Sequence, residues 1–450
     1  MSLKIVIVGS GEVGYNLSKV LSKEDYDITV IDTDANKCSK IKNAIDARVI
    51  EGNGASQRIL QKIDKMSNVD YFLALTPIDE INLIAAKISK AMGAKKVIAR
   101  LRNTEFSHKS AILTPEDFNI DFVTYPEKAA QQEIESLIRS SSAIEVIKFN
   151  NDEITLIGIK IEESSPLIGR SIRNVILSNP FTLHSVPVIY RNDSTFIPHK
   201  DTVYAKDDVV YFVCKSPDID LVQKMSGKPA FKVNNIMILG AGKIGRLLAK
   251  SLQFDYNVKI IENDKNKANK YAQTLSNSLM LVGDGLDPEL LESENIYEID
   301  CFVSATENEQ TNMMASMLIK DYSIKQNIVH ISTTKYIKPI RRMGIDAIVS
   351  KNISAVNEVV KFIQSDQQEI DISRFEDIDI DSMEIEILDK CKYIYKKYTL
   401  EDLPESICLS SIIRNNEVII PQFDTVLEVG DKLLIFLKPE YISKVENLFQ

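Results

Sequence analysis

The shortages in this chain narrow its chemistry before any motif is read. Its 450 residues include only four histidines, His108, His184, His199 and His330, and five cysteines, Cys38, Cys214, Cys301, Cys391 and Cys408. The histidines show no metal-ligand spacing and the cysteines form no CxxC pair, which argues against a metal centre built from them. An odd, scattered cysteine set reads instead as small buried apolar side chains. Apolar runs are short: the stretch at 71–75 is far below the roughly 20 residues needed to cross a bilayer. The first glycine turn begins at residue 9, which leaves no room before it for a secretory leader, and the expected location is cytoplasmic. Clustered basic residues are also missing. The formal charge of −10 is spread along the chain, so neither nucleic acid nor direct lipid binding is expected, because both need a concentrated Lys and Arg surface.

What remains is an ordinary globular composition, 44% apolar and 26% charged, long enough for about three or four domains. Its organising feature is a duplication. "IVIVGSGEVG" at 5–14 returns as "IMILGAGKIG" at 236–245. "VIEGNGAS" at 49–56 returns as "LVGDGLD" at 281–287, and "LALTPIDEIN" at 73–82 as "VSATENEQTN" at 303–312. "NIDFVTY" at 119–125 matches "GIDAIVS" at 344–350. The offset is 230–231 at the first three blocks and 225 at the last. The trailing parts share I-P-x-x-D-T-V-x-x-x-x-D at 197–208 and 420–431, giving an A–B–A′–B′ order. Joints are expected near 216–232, where Pro, Gly and Ser interrupt the periodicity, and in the acidic stretch 366–381, read as a solvated edge or linker.

In the first A segment "KIVIV" reads as a buried strand, "YNLSKVLSK" as a helix and "DITVID" as a second strand. A strand, glycine turn, helix and strand in about 30 residues make a βαβ unit with parallel strands. Gly9 suits the tight turn, Gly11 lets a pyrophosphate approach the backbone, and Gly14 lets helix and strand pack closely. Gly240, Gly242 and Gly245 repeat the spacing. The helix N-terminus that follows favours an anion. Asp32, 23 residues after Gly9, and Glu262, 22 after Gly240, stand where a carboxylate accepts the ribose hydroxyls of adenosine. Both acids would repel a 2′-phosphate, favouring NAD or an adenine nucleotide over NADP. Thr76 and Thr306 end the next strands, where they either touch the nucleotide or cap a helix. "VIARLRN" places Arg100 at the following strand end, with Arg102 on the same side. Ser332 of "VHISTTK" is taken as the counterpart of Arg100, so the two sites are expected to differ in ligand, since serine cannot pair bidentately with a phosphate.

The block order, GxGxxG with Asp32, the "GNG/GDG" loops, the T-x-x-x-E/Q-x-N stretches, "ARLRN" and the IP-x-x-DTV ends together resemble RCK (KTN) domains. Two copies on one chain without membrane spans are similar to the TrkA-type regulatory subunits of Trk potassium-uptake systems. The resemblance implies an α/β fold: two Rossmann-like domains at 1–140 and 231–365, followed by small α+β domains at 141–222 and 373–450. It implies NAD(H) and/or ATP/ADP as regulatory ligands, no metal, and a homo-oligomer, dimer or tetramer, closing into a ring. It also implies peripheral attachment to the membrane through a TrkH-like potassium-translocating subunit. The contacts it carries over are Gly9, Ser10, Gly11, Glu12, Val13 and Gly14, then Asp32, Thr76, Pro77 and Arg100. In the second half they are Gly240, Ala241, Gly242, Lys243, Ile244 and Gly245, then Glu262, Asp284 and Thr306. Asn53 departs from the usual GDG aspartate.

Two other readings compete. A dehydrogenase uses the same fold but needs an acid/base beside the nicotinamide, and no histidine falls at a position common to both copies. The Tyr393–Lys397 pair lies in a B segment, with the wrong glycine spacing for a short-chain reductase. A freestanding nucleotide sensor is the other alternative. Duplicated pockets favour regulation, and no catalytic residue is expected.

Overall fold

The computed structural model describes residues 2–22, 26–108, 110–345, 347–367, 371–374, 380–388, 391, 403–404, 406–441, 445 and 448–449. Two parallel sheets and two antiparallel ones alternate along the chain. The first is built from β1 (Lys4–Val8), β2 (Asp27–Asp32), β3 (Arg48–Glu51), β4 (Tyr71–Ala74), β5 (Lys96–Arg100) and β6 (Phe122–Thr124), in the order β3-β2-β1-β4-β5-β6. Its strands are parallel throughout. Val6, Ile7 and Val8 are buried on both faces, which is why such strands read as continuous β-branched runs.

An antiparallel sheet follows, from β7 (Glu145–Phe149), β8 (Ile154–Lys160), β9 (Ser185–Arg191), β10 (Ser194–Phe196) and β11 (Val209–Lys215), ordered β10-β9-β11-β8-β7. The second parallel sheet has β12 (Asn235–Leu239), β13 (Asn257–Glu262), β14 (Ser278–Val282), β15 (Cys301–Ser304), β16 (Gln326–Ile331) and β17 (Ala347–Ser350) in the same spatial order as the first. The last sheet holds β18 (Asp371–Arg374), β19 (Asp381–Glu386), β20 (Ile407–Arg414), β21 (Glu417–Ile419) and β22 (Lys432–Leu437). The expected alternation of Rossmann-like and small α+β units is what the chain adopts.

The shared I-P-x-x-D-T-V-x-x-x-x-D ends have a structural cause. Asp208 is fully buried and receives Arg191 through two contacts of 2.6 Å and the Ala205 N–H at 2.8 Å. Asp431 repeats this with Arg414 at 2.7 Å twice and the Glu428 N–H at 2.8 Å. A buried carboxylate is tolerated only with such pairing. The two antiparallel sheets then pack on each other: Leu156, Val188 and Tyr211 share a core with Val418, Leu434 and Phe436.

Sequence reading does not anticipate an exchange of helices. The helix Pro126–Arg139 leaves the first parallel sheet and buries Ala130, Ile134, Leu137 and Ile138 in the core of the second, beside Ile236 and Leu248. The helix Lys351–Gln367 returns the favour, packing Ala355, Val356, Val359 and Ile363 against Ile5, Leu17 and Tyr71 of the first half. Tyr71 Oη donates to Asp366 Oδ2 at 2.7 Å, and Thr124 Oγ1 to Glu358 Oε2 at 2.7 Å. At roughly 25 cal/mol per Å² of apolar surface, two such helix faces bind the halves far more firmly than surface charge pairs would. The joint near 216–232 is also more ordered than its composition suggests: Ile219–Met225 is a helix whose Val222 is buried. Of the acidic stretch, Asp366 sits in a helix, Asp371–Arg374 pairs with Asp381–Glu386, and residues 368–370 and 375–379 lie outside the described residues.

Candidate functional site

The two glycine loops have one geometry. Gly9 has φ +96°, in the left-handed region, and any Cβ there would stand 2.9 Å from Thr76 N. A Cβ on Gly14 would be 1.9 Å from Gly9 O, so helix and strand meet there only because the side chain is missing. Gly11 differs: nothing lies within 4 Å of its missing Cβ, which leaves the approach to the backbone open. The helix Glu12–Leu21 begins on Gly11 with no side-chain cap, so its first N–H groups remain for an anion or solvent. In the second half, a Cβ on Gly240 would meet Thr306 N at 3.0 Å and one on Gly245 would meet Gly240 O at 2.0 Å, while Gly242 has nothing nearer than 3.6 Å. Val13 and Ile244 are core residues, so of the loop positions carried over these two offer only backbone.

The acids at the ends of β2 and β13 are already engaged. Asp32 Oδ2 accepts from Ser10 N at 2.6 Å and Ser10 Oγ at 2.8 Å, and Oδ1 accepts from Asp34 N at 2.9 Å. Burial alone would raise its pKa, but these donors and the nearby Lys37 charge hold it below the usual aspartate value. Glu262 is 5% exposed. It accepts from Ala241 N at 3.0 Å and Asp264 N at 3.1 Å and pairs with Lys267 at 2.9 Å. Burial again pushes upward, and Lys267 with the backbone donors more than offsets it. Each carboxylate has about four acceptor positions; three are taken in each, and one remains.

Thr76 does not cap the following helix, whose N-cap is Ile78 without a side-chain bond. Its hydroxyl goes to Asn82 Oδ1 at 2.7 Å, while Thr76 N donates to the same oxygen at 2.9 Å. Asn82, fully buried, returns its Nδ2 to Thr76 O at 2.8 Å and Arg100 O at 2.7 Å. Asn312 does the same with Thr306, at 2.9 Å and 2.6 Å, and with His330 O at 2.9 Å. These asparagines tie the carboxyl ends of adjacent strands together. The repeat displays them, yet spacing alone gives them no role. Pro77 beside them is exposed. Asn53 Oδ1 accepts from Ala55 N at 2.9 Å as Asp284 Oδ1 does from Leu286 N at 2.9 Å, so the same turn is made without the usual acid.

Strand register corrects one correspondence. Ala74 faces Ala99, and Ser304 faces Val329, so the counterpart of Arg100 is His330 and that of Arg102 is Ser332. The tie confirms it: Asn82 holds Arg100 O where Asn312 holds His330 O. Asp79 receives the Arg102 and Asn103 N–H groups, and Glu309 those of Ser332 and Thr333. The expected Arg100–Ser332 contrast is therefore an arginine–histidine contrast. His330 is 3% exposed, and burial, with Lys351 nearby, pushes its pKa down to about 3, so it stands neutral where Arg100 carries charge.

The second cleft encloses about 270 Å³ lined by Gly240, Gly242, Glu262, Asp284 and Thr306, together with Lys267. Lys243 of that glycine loop turns instead toward Glu127 of the first half, with Nζ 4.0 Å from Oε2. A separate cavity of about 420 Å³ lies between the two antiparallel sheets, lined by Ile172, His184, Cys408 and Phe423 among others; the stretch at 163–175 contributes Ile172. All five cysteines are free, and four are buried, as their scatter suggests. Among the described residues no group of three or more His, Cys, Asp or Glu is placed to hold a metal, and no helix is long and apolar enough to cross a membrane. The Tyr393–Lys397 pair lies outside the described residues.

Comparison with known proteins decides the family. The TrkA-N domain matches residues 5–123 and 236–351, and the TrkA-C domain residues 156–227 and 383–450. The chain belongs to the TrkA family. It is 30% identical over 457 residues to the Trk system potassium uptake protein TrkA homolog 1 of Methanosarcina mazei, with 100% of both chains covered. It is likewise 30% identical over 449 residues to the TrkA homolog of Archaeoglobus fulgidus, again over 100% of both. Its fold is shared with the GsuK RCK domain (TM-score 0.60, 13% identity, 100% of this chain and 95% of that one). The GsuK channel bound to NAD is similar too (TM-score 0.59, 14% identity, 100% and 79%). The tandem RCK reading of the sequence thus holds for this TrkA-family chain.

Proposed function

We propose that this chain is the nucleotide-responsive regulatory subunit of a Trk-type potassium uptake system, not an enzyme. The observation that carries the reading is the pair of open glycine loops, one per half, joined by exchanged helices. Gly11 and Gly242 leave their backbones accessible, and Asp32 and Glu262 each keep one acceptor position for a ribose hydroxyl. Potassium uptake comes from the names of the full-length relatives, the membrane partner from the resemblance to Trk regulatory subunits, and NAD from the GsuK channel of like fold, which was solved with NAD bound. Bound NAD(H) or ATP/ADP would contact Gly9–Val13, Asp32, Thr76, Pro77 and Arg100 in the first half. In the second it would contact Gly240–Ile244, Glu262, Asp284 and Thr306, with Val13, Lys243 and Ile244 serving through backbone alone.

The chain sits on the cytoplasmic face, assembled into a closed homo-oligomeric ring under its membrane subunit. Ligands act by population shift, favouring the arrangement of halves they bind better. A change from 1:99 to 99:1 needs roughly 5.5 kcal/mol, which several coupled sites supply at about 1–3 kcal/mol each. The test is potassium uptake in cells expressing the chain with its membrane partner. Nucleotide-dependent uptake should be lost in Gly11→Val while the variant still co-purifies with that partner. Unchanged regulation in the variant, or turnover of NADH by the pure chain, overturns the reading.

A further inference from the structure

The first antiparallel domain and the second parallel-sheet domain meet in a charged contact that the glycine loops do not account for. Asn192 and Asp193 turn β9 into β10, both at positive φ, 50° and 60°. Asp193 Oδ2 accepts from Arg342 Nη2 at 2.7 Å and Nε at 3.2 Å, while Oδ1 accepts from Tyr190 Oη at 2.8 Å. The Arg341 guanidinium stands 5.8 Å from the centre of the Tyr190 ring, and Lys338 lies within range of the same carboxylate. All three cations belong to the helix Ile337–Arg342, whose Ile337 and Ile340 are buried with Val329 and Ile331 of β16. The carboxyl end of β16 is in turn tied to Thr306 of the second cleft, because Asn312 holds both His330 O and the Thr306 hydroxyl. Packed and hydrogen-bonded groups thus run without a break from that cleft to the tip of the β9–β10 hairpin.

The repeat has the same hairpin without the contact. Arg191 pairs with Asp208 as Arg414 does with Asp431, 17 residues on in each case, which sets Tyr190 against Ile413 and Asp193 against Asn416. Asn415 and Asn416 take the same positive φ, so the turn forms equally well without the acid or the ring. On the helix side, the pairing of Arg100 with Thr124 and of His330 with Val349 sets Arg341 against Glu116 and Arg342 against Asp117. Both arginines are therefore replaced by acids in the first half. The turn itself calls for none of these side chains; the meeting of the two domains does. The pair is also open to solvent, with Arg342 65% and Asp193 46% exposed.

We propose that this contact is a salt-sensitive latch coupling the second cleft to the first antiparallel domain. Asp193 grips the helix Ile337–Arg342 at low ionic strength and lets go as salt rises. The Debye length shrinks from about 8 Å at 0.15 M to about 3 Å at 1 M, and an exposed ion pair weakens accordingly. The Tyr190–Asp193 bond lies within the hairpin and does not hold the domains together. In a regulator of potassium uptake, accumulated salt would then dull the response to a ligand in the second cleft, with no potassium-binding site required. The latch rests on the nucleotide-regulator reading and adds a salt dependence to its second site.

Hydrogen exchange on the full chain tests it, read at residues 186–196 and 334–343 with β20–β21 as the internal control. In dilute KCl, Asp193→Asn and Arg342→Gln should each speed exchange in both segments about two- to fivefold, the range for an exposed pair. The double variant should go no further, and exchanging the charges, Asp193→Arg with Arg342→Asp, should restore protection. Wild type at about 1 M KCl or choline chloride, where screening is short-ranged, should match the single variants. NAD should protect the glycine loop at 240–245 in every variant, but segment 186–196 only where the latch is intact. Multiplying effects in the double variant, or wild-type exchange indifferent to salt, overturns the latch. A response to KCl but not to choline chloride overturns screening as its trigger. Protection of 186–196 by NAD that is absent in wild type, or equal in Asp193→Asn, overturns the coupling. If NAD alters exchange nowhere, the nucleotide reading fails and the coupling with it, while the paired variants still decide the latch.

Discussion

In the first cleft the strand-end acid is Asp32, held by both the N–H and the hydroxyl of Ser10. In the second it is Glu262, one carbon longer, with Ala241 in the place of Ser10 and Lys267 drawn into a 2.9 Å ion pair. The loops that face these acids are superimposable in logic, down to the obstacle each third glycine avoids. Duplication has thus kept what the backbone needs and let the side chains around it diverge. Steric constraints at a missing Cβ permit no substitute, whereas a carboxylate is satisfied by several different donor sets.

That contrast can be broken hardest at the glycines. Gly14→Val places atoms where the Gly9 carbonyl already stands and should cost about 3 kcal/mol or more, read as a lowered urea midpoint. Gly245→Val should match it. Gly11→Val meets open space at an ordinary φ of −67°. It should leave the midpoint within about 0.5 kcal/mol and reduce nucleotide binding by one site per chain in calorimetry. Next come the buried asparagines. Asn82→Ala strands the Thr76 and Arg100 carbonyls, and Asn312→Ala those of Thr306 and His330, each costing about 2–3 kcal/mol. Unequal losses would show that the two ties differ in weight despite matching geometry.

A smaller effect is expected from Lys267→Gln, which removes the ion pair at Glu262 only. Binding in the second cleft should change by severalfold, and the first cleft should be unaffected. The smallest effect is in pH. Both Asp32 and Glu262 have pKa values lowered on folding. Each therefore contributes stability above its unfolded value, about 3.9 or 4.3, and loses it as pH falls through the folded value. Asp32→Asn and Glu262→Gln should each flatten the acid limb of a stability–pH curve and leave its neutral region parallel to wild type.

Much of this was legible in the residues. Gly9, Gly11 and Gly14 speak through local sterics, and alternating strands and helices follow from β-branched runs and apolar spacing, so both parallel sheets could be read directly. The B segments betrayed themselves through Asp208 and Asp431, whose buried pairing forces a recurring motif. The counterpart of Arg100 was legible in the spacing, because Asn82 to Arg100 and Asn312 to His330 are both 18 residues. Matching the letters of the two strands instead of the offset set Ser332 where His330 belongs. Nor did the letters reveal the ownership of the helices Pro126–Arg139 and Lys351–Gln367. An amphipathic helix states that it will cover an apolar sheet, not which of two similar sheets it will choose.

The exchange of those two helices also sets a timetable for synthesis. The first sheet ends at Thr124, yet the helix that shields one of its faces begins at Lys351. At about 5–20 residues per second on the ribosome, Ile5, Leu17 and Tyr71 wait roughly ten to fifty seconds for their cover. During that interval the nascent first half displays an oily flank, and a nucleotide already seated in its glycine loop would meet an unfinished protein. The chain becomes a regulator only when its far end has been made and threaded home.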